Sequence, residues 1–374
     1  MKHTAVSLGV LIVLTISACC GQGSTNEQNG ARFAYEDQTK KTIFEKATHY
    51  KNKGDKFFQN GETEKAKAAY EKMFLEFDSM PFERDGVDVI NIQKMFTLDS
   101  NTPSYHRLLV EGVFGWKSGD VPLALENITD AIEQNPIFPL GYLSRAALWS
   151  SISEYRKAFA DLNTLEALYP TVSYSYGLKG EMFYEQRDFE NALIAYGKFV
   201  ELKPSDHEAY YYCGRAYAEL GKNDLALRAY DKSIELYRDG RTYFFRGALK
   251  SLMGKTDDAL SDYLEALKNE SIDDSYLDHL YYRIAKIYIY KKEYQKAACF
   301  LDKLIKSKPD DSWAYEKKGL IYASQGRYND ARVLFNRAAD LDPDSLAIRE
   351  HLKHLNSGKG GKGEREGGEG VTLK

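Results

Sequence analysis

Small residues recur along this chain at a fixed interval. Ala124, Ala158, Ala192 and Ala226 stand 34 residues apart, Ala259, Ala297 and Ala331 follow at spacings of 33, 38 and 34, and Ala66 is an earlier member. Twelve residues before each lies another small residue: Gly54, Gly112, Ala146, Gly180, Gly214, Gly247, Ala285 and Gly319. Four residues after each lies a large one: Tyr70, Ile128, Leu162, Tyr196, Tyr230, Tyr263, Leu301 and Phe335. Gly precedes the alanine by five at Gly61, Gly119, Gly221, Gly254 and Gly326, and Pro follows it by twelve at Pro136, Pro170, Pro204, Pro309 and Pro343. The pattern predicts two helices per period. The paired small residues let the helices approach closely. The large residue shares a face with the alanine one turn earlier. The mid-period Gly supplies the positive φ that ends the first helix, and Pro cannot continue the second but starts a new segment well.

The stretch 214–230 (GRAYAELGKNDLALRAY) resembles the tetratricopeptide repeat (TPR) motif, and so does 319–343 (GLIYASQGRYNDARVLFNRAADLDP). The resemblance covers about three-quarters of the chain, with eight copies in register. It implies an all-α fold: a TPR α-solenoid, a right-handed superhelix of antiparallel helix pairs, with about eight repeats and a terminal capping helix. Some copies depart from the motif. Ala146 and Ser153 replace two glycines in one repeat, and Asn269-Glu270-Ser271 replaces a closing Pro in another. The organisation expected is a signal peptide at 1–18, a flexible tether at 19–42, a first repeat at 43–80, an insertion at 81–104 with a short helix around Asp88–Phe96, seven repeats at 105–345, a capping helix at 346–355 and a disordered tail at 356–374.

The resemblance also implies a binding surface, because first helices in this family line the concave side and hold an extended peptide or partner helix. The positions that map there lie three residues before, and one and four after, the small residue of each first helix. They include Tyr184, Tyr211, Arg215, Phe244, Tyr282 and Lys286, with Arg241 near the start of its helix. Aromatics mixed with cations suit a protein partner. The Lys and Asn pairs with which cytosolic co-chaperones of this family clamp a terminal carboxylate are missing. The alternative reading is that these tyrosines simply cover the helix surface.

At the N-terminus, Lys2 and His3 precede a 12-residue apolar run, Ala5–Ile16. A run this short does not span a bilayer, which takes roughly 20 residues, but it fits the core of a secretory signal. Ile16-Ser17-Ala18-Cys19 then resembles the bacterial lipobox. That resemblance implies cleavage before Cys19 and a lipid on its thiol, with Cys20 a poorer acceptor. Several acyl chains would hold the protein on a membrane, at about 0.8 kcal/mol per buried methylene. No Asp follows Cys19, which favours the outer membrane, facing the periplasm.

Charge and chemistry narrow the function. A net charge of −4 on 374 residues lacks the concentrated basic field of a nucleic-acid binder. Cys213 and Cys299 stand alone, so neither a disulfide framework nor a zinc site is expected. Cys213, directly before Gly214, reads as an inert core thiol. No phosphate loop, dinucleotide fingerprint, nucleophile elbow or H-E-x-x-H motif occurs. His351 and His354 share a face of the last helix but read as a solvated pair. The expectation is therefore no enzyme, no cofactor and no metal. It is an envelope scaffold that docks a protein or peptide, or alternatively one that binds glycan or cell-wall polymer.

Overall fold

The computed structural model describes residues 27–78, 102–269, 272 and 274–356. Among them are seventeen helices and no strand. One compact unit ends at Leu236. It contains five hairpins: α1 (Glu27–Gln59) with α2 (Thr63–Asp78), α3 (Ser104–Lys117) with α4 (Val121–Gln134), α5 (Pro139–Ser151) with α6 (Tyr155–Leu168), α7 (Ser173–Glu185) with α8 (Phe189–Leu202), and α9 (His207–Glu219) with α10 (Asn223–Leu236). The second unit starts at Tyr237. It contains α11 (Gly240–Leu252) with α12 (Thr256–Lys268), α13 (Asp274–Tyr290) with α14 (Tyr294–Ser307), α15 (Ser312–Ser324) with α16 (Tyr328–Leu341), and a last helix, α17 (Leu346–Asn356). Eight hairpins and a final helix are what the period requires.

The recurring residues do the packing. All eight period alanines, from Ala66 to Ala331, are fully buried. Each large residue four positions on lies over the small residue of the first helix. A Cβ added to Gly54, Gly112, Gly180, Gly214, Gly247 or Gly319 would meet the side chain of Tyr70, Ile128, Tyr196, Tyr230, Tyr263 or Phe335, respectively. Where the small residue is Ala146 or Ala285, the partner is the narrower Leu162 or Leu301, and all four are fully buried. Carboxylates start several helices by accepting exposed backbone N–H groups: Asp120 from Leu123, Asp188 from Asn191 and Asp311 from Ala314. From the second hairpin on, successive hairpins within each unit join through a second helix lying on the next first helix: α4 on α5, α6 on α7 and α8 on α9, then α12 on α13 and α14 on α15, with α16 on the final α17. Arg145 adds a polar bridge at such a join. Its Nε and Nη2 donate to both oxygens of Asp161 on α6, at 2.9 and 2.7 Å, while Nη1 donates to Thr129 Oγ1 on α4 at 3.1 Å.

One expected boundary shifts. A tether was expected through residue 42, but α1 begins at Glu27. Residues 31–53 contain neither Gly nor Pro, and Ala31, Ala34, Lys40, Lys41 and Glu45 favour helix. Propensity thus extends the helix backwards without any apolar stripe to announce it. The signal peptide, Cys19, most of the insertion and the glycine-rich tail lie outside the described residues.

Candidate interaction surface

In the first unit, Tyr211 on α9 is 1% exposed, wedged at 5.1 Å from Tyr212 and 6.5 Å from Tyr230 between ring centroids. Arg215, one turn on, lays its guanidinium 4.5 Å from the Tyr184 ring of α7 and 5.8 Å from that of Tyr211. The Tyr184 hydroxyl donates to Glu219 Oε1 at 3.2 Å. Burial opposes the Arg215 charge, yet the surrounding oxygens of Tyr211, Tyr184, Tyr196 and Tyr212 keep its pKa above the ordinary guanidinium value. This set links neighbouring first helices, Arg215 of α9 lying over Tyr184 of α7.

The second unit divides. Arg241 is 7% exposed, with Nε 3.4 Å from Asp239 Oδ2. Asp239 in turn accepts from the Thr242 backbone N–H at 3.0 Å and so caps α11. Phe244 is buried at 5.3 Å from Phe245, 5.3 Å from Tyr276 on α13 and 6.0 Å from Tyr263. Tyr211, Arg241 and Phe244 are thus buried in this structure. Tyr211 packs within its own hairpin, Arg241 turns back to Asp239, and Phe244 buries against Tyr276 of the following repeat. What stays accessible is smaller. Tyr282 on α13 is half-buried and packs against Trp313 of α15 at 4.3 Å. Lys286, one turn along α13, is exposed. One turn after Trp313 on α15, Lys317 Nζ lies 3.1 Å from Glu316 Oε1. An indole and a phenol with one unburied ammonium can cover an apolar side chain and attract a carboxylate.

A polar cluster escaped the sequence reading. Lys51 and Asp55 on α1, Tyr70 on α2, Tyr105 and His106 on α3 and Asn135 after α4 are all buried together. Asp55 Oδ1 accepts from the Tyr70 and Tyr105 hydroxyls at 2.8 and 2.7 Å, and Asn135 Nδ2 donates to the Tyr70 oxygen at 3.1 Å. A signal existed in the register. Lys51 and Asp55 stand three before and one after Gly54, the same inner positions singled out in later repeats. Elsewhere, burial pushes the Cys213 thiol up to about 12, so it is no nucleophile near neutral pH. Among the described residues no cluster of His, Cys, Asp and Glu could hold a metal ion. Among the same residues, no helix is long and apolar enough to cross a membrane.

Tetratricopeptide repeat models match residues 178–241, 278–311 and 312–345. A TPR repeat-containing protein of Methanocaldococcus jannaschii is 25% identical over 236 residues, which is 63% of this chain and 36% of that protein. Anaphase-promoting complex subunit 3 of Schizosaccharomyces pombe is 24% identical over 231 residues, 60% of this chain and 34% of its own. The chain thus spans little more than a third of the length of these relatives. Among solved structures, the C-terminal part of a TPR repeat-containing protein from Cytophaga hutchinsonii superposes with a TM-score of 0.53 at 18% identity, covering 64% of this chain and 98% of that one. The fold is all-α, of the tetratricopeptide solenoid class.

Proposed function

We propose that this protein is a lipid-anchored scaffold of the bacterial cell envelope, docking a protein or an extended peptide on its first helices. Tetratricopeptide repeats generally mediate protein–protein contacts, and three stretches of this chain match them. The observation that carries the docking half is the half-buried Tyr282–Trp313 pair with exposed Lys286 one turn along α13. Such a patch favours a peptide that offers an apolar anchor and an acidic group. The anchoring half rests on Ile16-Ser17-Ala18-Cys19 after a short apolar run. Residues between Cys19 and the first hairpin would set the distance from membrane to repeats. The outer membrane, facing the periplasm, is the location this sequence favours.

The two halves are tested separately. Cys19→Ser should move the full-length protein from the detergent-extractable membrane fraction to the soluble periplasm, and unchanged partition removes the anchor. For docking, a photo-crosslinker at position 286 should capture one discrete protein partner in cells, and Tyr282→Ala should lower that yield several-fold. Capture of glycan instead, or a yield indifferent to Tyr282→Ala, rejects this surface.

A further inference from the structure

We propose that residues 86–99 dock antiparallel along α3 and bury Phe114, supplying the cover that the first join of the array lacks. One position in each hairpin points there. Two residues after the small residue of the first helix stand Leu148, Met182, Ala216, Leu249, Ile287 and Ile321, none more than 7% exposed. In α3 the same position is Phe114, and it is 63% exposed. In α1 it is Lys56, also exposed, which suits the outermost helix of an array. α3 therefore carries an interior type of residue on a face that the described residues leave open.

That face is the one on which second helices stack. Gly141 on α5 lies two turns before Leu148, and a Cβ there would stand 2.7 Å from Ile132 of the preceding helix, α4. Tyr212 on α9, one turn before Ala216, stacks on Tyr196 of the preceding α8 with ring centroids 5.2 Å apart. α2 has no such alignment with α3. The first hairpin instead holds α3 at Tyr105, whose hydroxyl donates to Asp55 and whose ring meets Phe58. Tyr105 lies two turns before Gly112 and shares its face, which points toward α4 and away from Phe114. α2 also reaches past α3, because Glu71 accepts from Thr171, beyond α6, at 2.8 Å. The stacking face of α3 is left to another occupant.

A lone exposed phenyl ring is ordinary on a protein surface. Here the chain itself provides a cover of matching length in the matching place. Ala66 and Ala124 stand 58 residues apart, 24 more than the period, so the insertion has room for one helix and a loop but not for a further hairpin. α4, α6 and α8 each run 14 residues and reach the next first helix across four. Counted back from Ser104, the same measures select residues 86–99 (GVDVINIQKMFTLD), which lie outside the described residues. In the register of the period, Ile90 takes the place of the buried alanine, 22 residues before Gly112, and Leu98 takes that of Ile132. As a helix, Val87, Ile90 and Leu98 share one face. Antiparallel docking brings Val87 and Ile90 to Phe114, and it sets Asp99 opposite the exposed Arg107 of α3.

Site-specific photo-crosslinking on the full chain tests the docking. A benzophenone amino acid at position 114 should attach within the same chain to residues 86–91, and one at position 107 to residues 95–99. One at position 194 on α8, where Ile194 is 71% exposed, should not reach this segment. Backbone amides of 86–99 should exchange slowly. Phe114→Asp should speed them by about tenfold or more, the loss expected when one large apolar side chain can no longer be buried, while α5–α8 keep their protection. Attachment of the 114 probe to a second copy or to another protein, attachment in parallel order, or attachment to no residue of 86–99 overturns the inference. So does exchange in 86–99 that ignores Phe114→Asp or quickens equally across the whole unit.

Discussion

A Cβ built on Gly214 would stand 2.6 Å from the Tyr230 ring, well inside contact distance. The same closeness recurs where Gly54, Gly180 and Gly319 face aromatics and where Gly112 faces Ile128, whereas Ala146 with Leu162 is fully buried with the methyl in place. Backbone and ring are thus chosen as a pair: a flat side chain needs a helix with no Cβ beneath it, and a narrower one tolerates a methyl. Gly214→Ala should therefore cost roughly 1–3 kcal/mol by overpacking. Tyr230→Leu alone should also destabilise, by leaving a void. The double variant recreates the combination already present at 146 and 162. Its loss should be smaller than the sum of the single losses by about 1 kcal/mol or more, measured by denaturant unfolding. Strict additivity would mean that the two residues do not read each other, and that the period reflects something other than this contact.

Each hairpin turns at one residue with positive φ, and the position is always five before the buried alanine. Five of these residues are glycines, Gly61, Gly119, Gly221, Gly254 and Gly326, while Ser153, Arg187 and Lys292 hold the same left-handed geometry with side chains, at φ of 63°, 61° and 58°. The glycines made five turns legible in the sequence. The other three follow from the period alone, because a hairpin of fixed length must reverse at a fixed place whatever residue stands there. A side chain in this region is strained by roughly 1–2 kcal/mol, partly offset by the entropy that Gly would lose on folding. Lys292→Gly should accordingly raise unfolding free energy by about 0.5–1 kcal/mol, and Gly221→Ala, which meets no atom within 4 Å, should lower it by a similar amount through conformation alone. Equal melting temperatures for the two variants would contradict a shared turn geometry.

Local pairs made the hairpins readable at the scale of the whole chain, because the contacts that close each one span only 16 residues, as from Gly214 to Tyr230. Exposure of the inner positions was not readable in the same way. Whether Phe244 faces a ligand or the core depends on Tyr276 in the following repeat, and the Asp55 cluster depends on residues on both sides of an insertion that breaks the period. A chain whose repeats touch mainly their neighbours should transmit damage over short distances. Gly319 offers a test in the second unit. Its Cβ would stand 2.7 Å from the Phe335 ring. Phe335 in turn supports the last helix, stacking on His351 at 5.2 Å and packing with Leu352 and Leu355. Gly319→Ala should push Phe335 against α17 and weaken the terminal hairpin by roughly 1–3 kcal/mol. Hydrogen exchange should then quicken in α15, α16 and α17, less in α13–α14, and not measurably in α11–α12, whose core of Leu249, Ala259 and Tyr263 contains none of the displaced atoms. Equal acceleration from α11 to α17 would show instead that these three hairpins and their final helix open as one cooperative block, with stability set by the unit and not by each interface in turn.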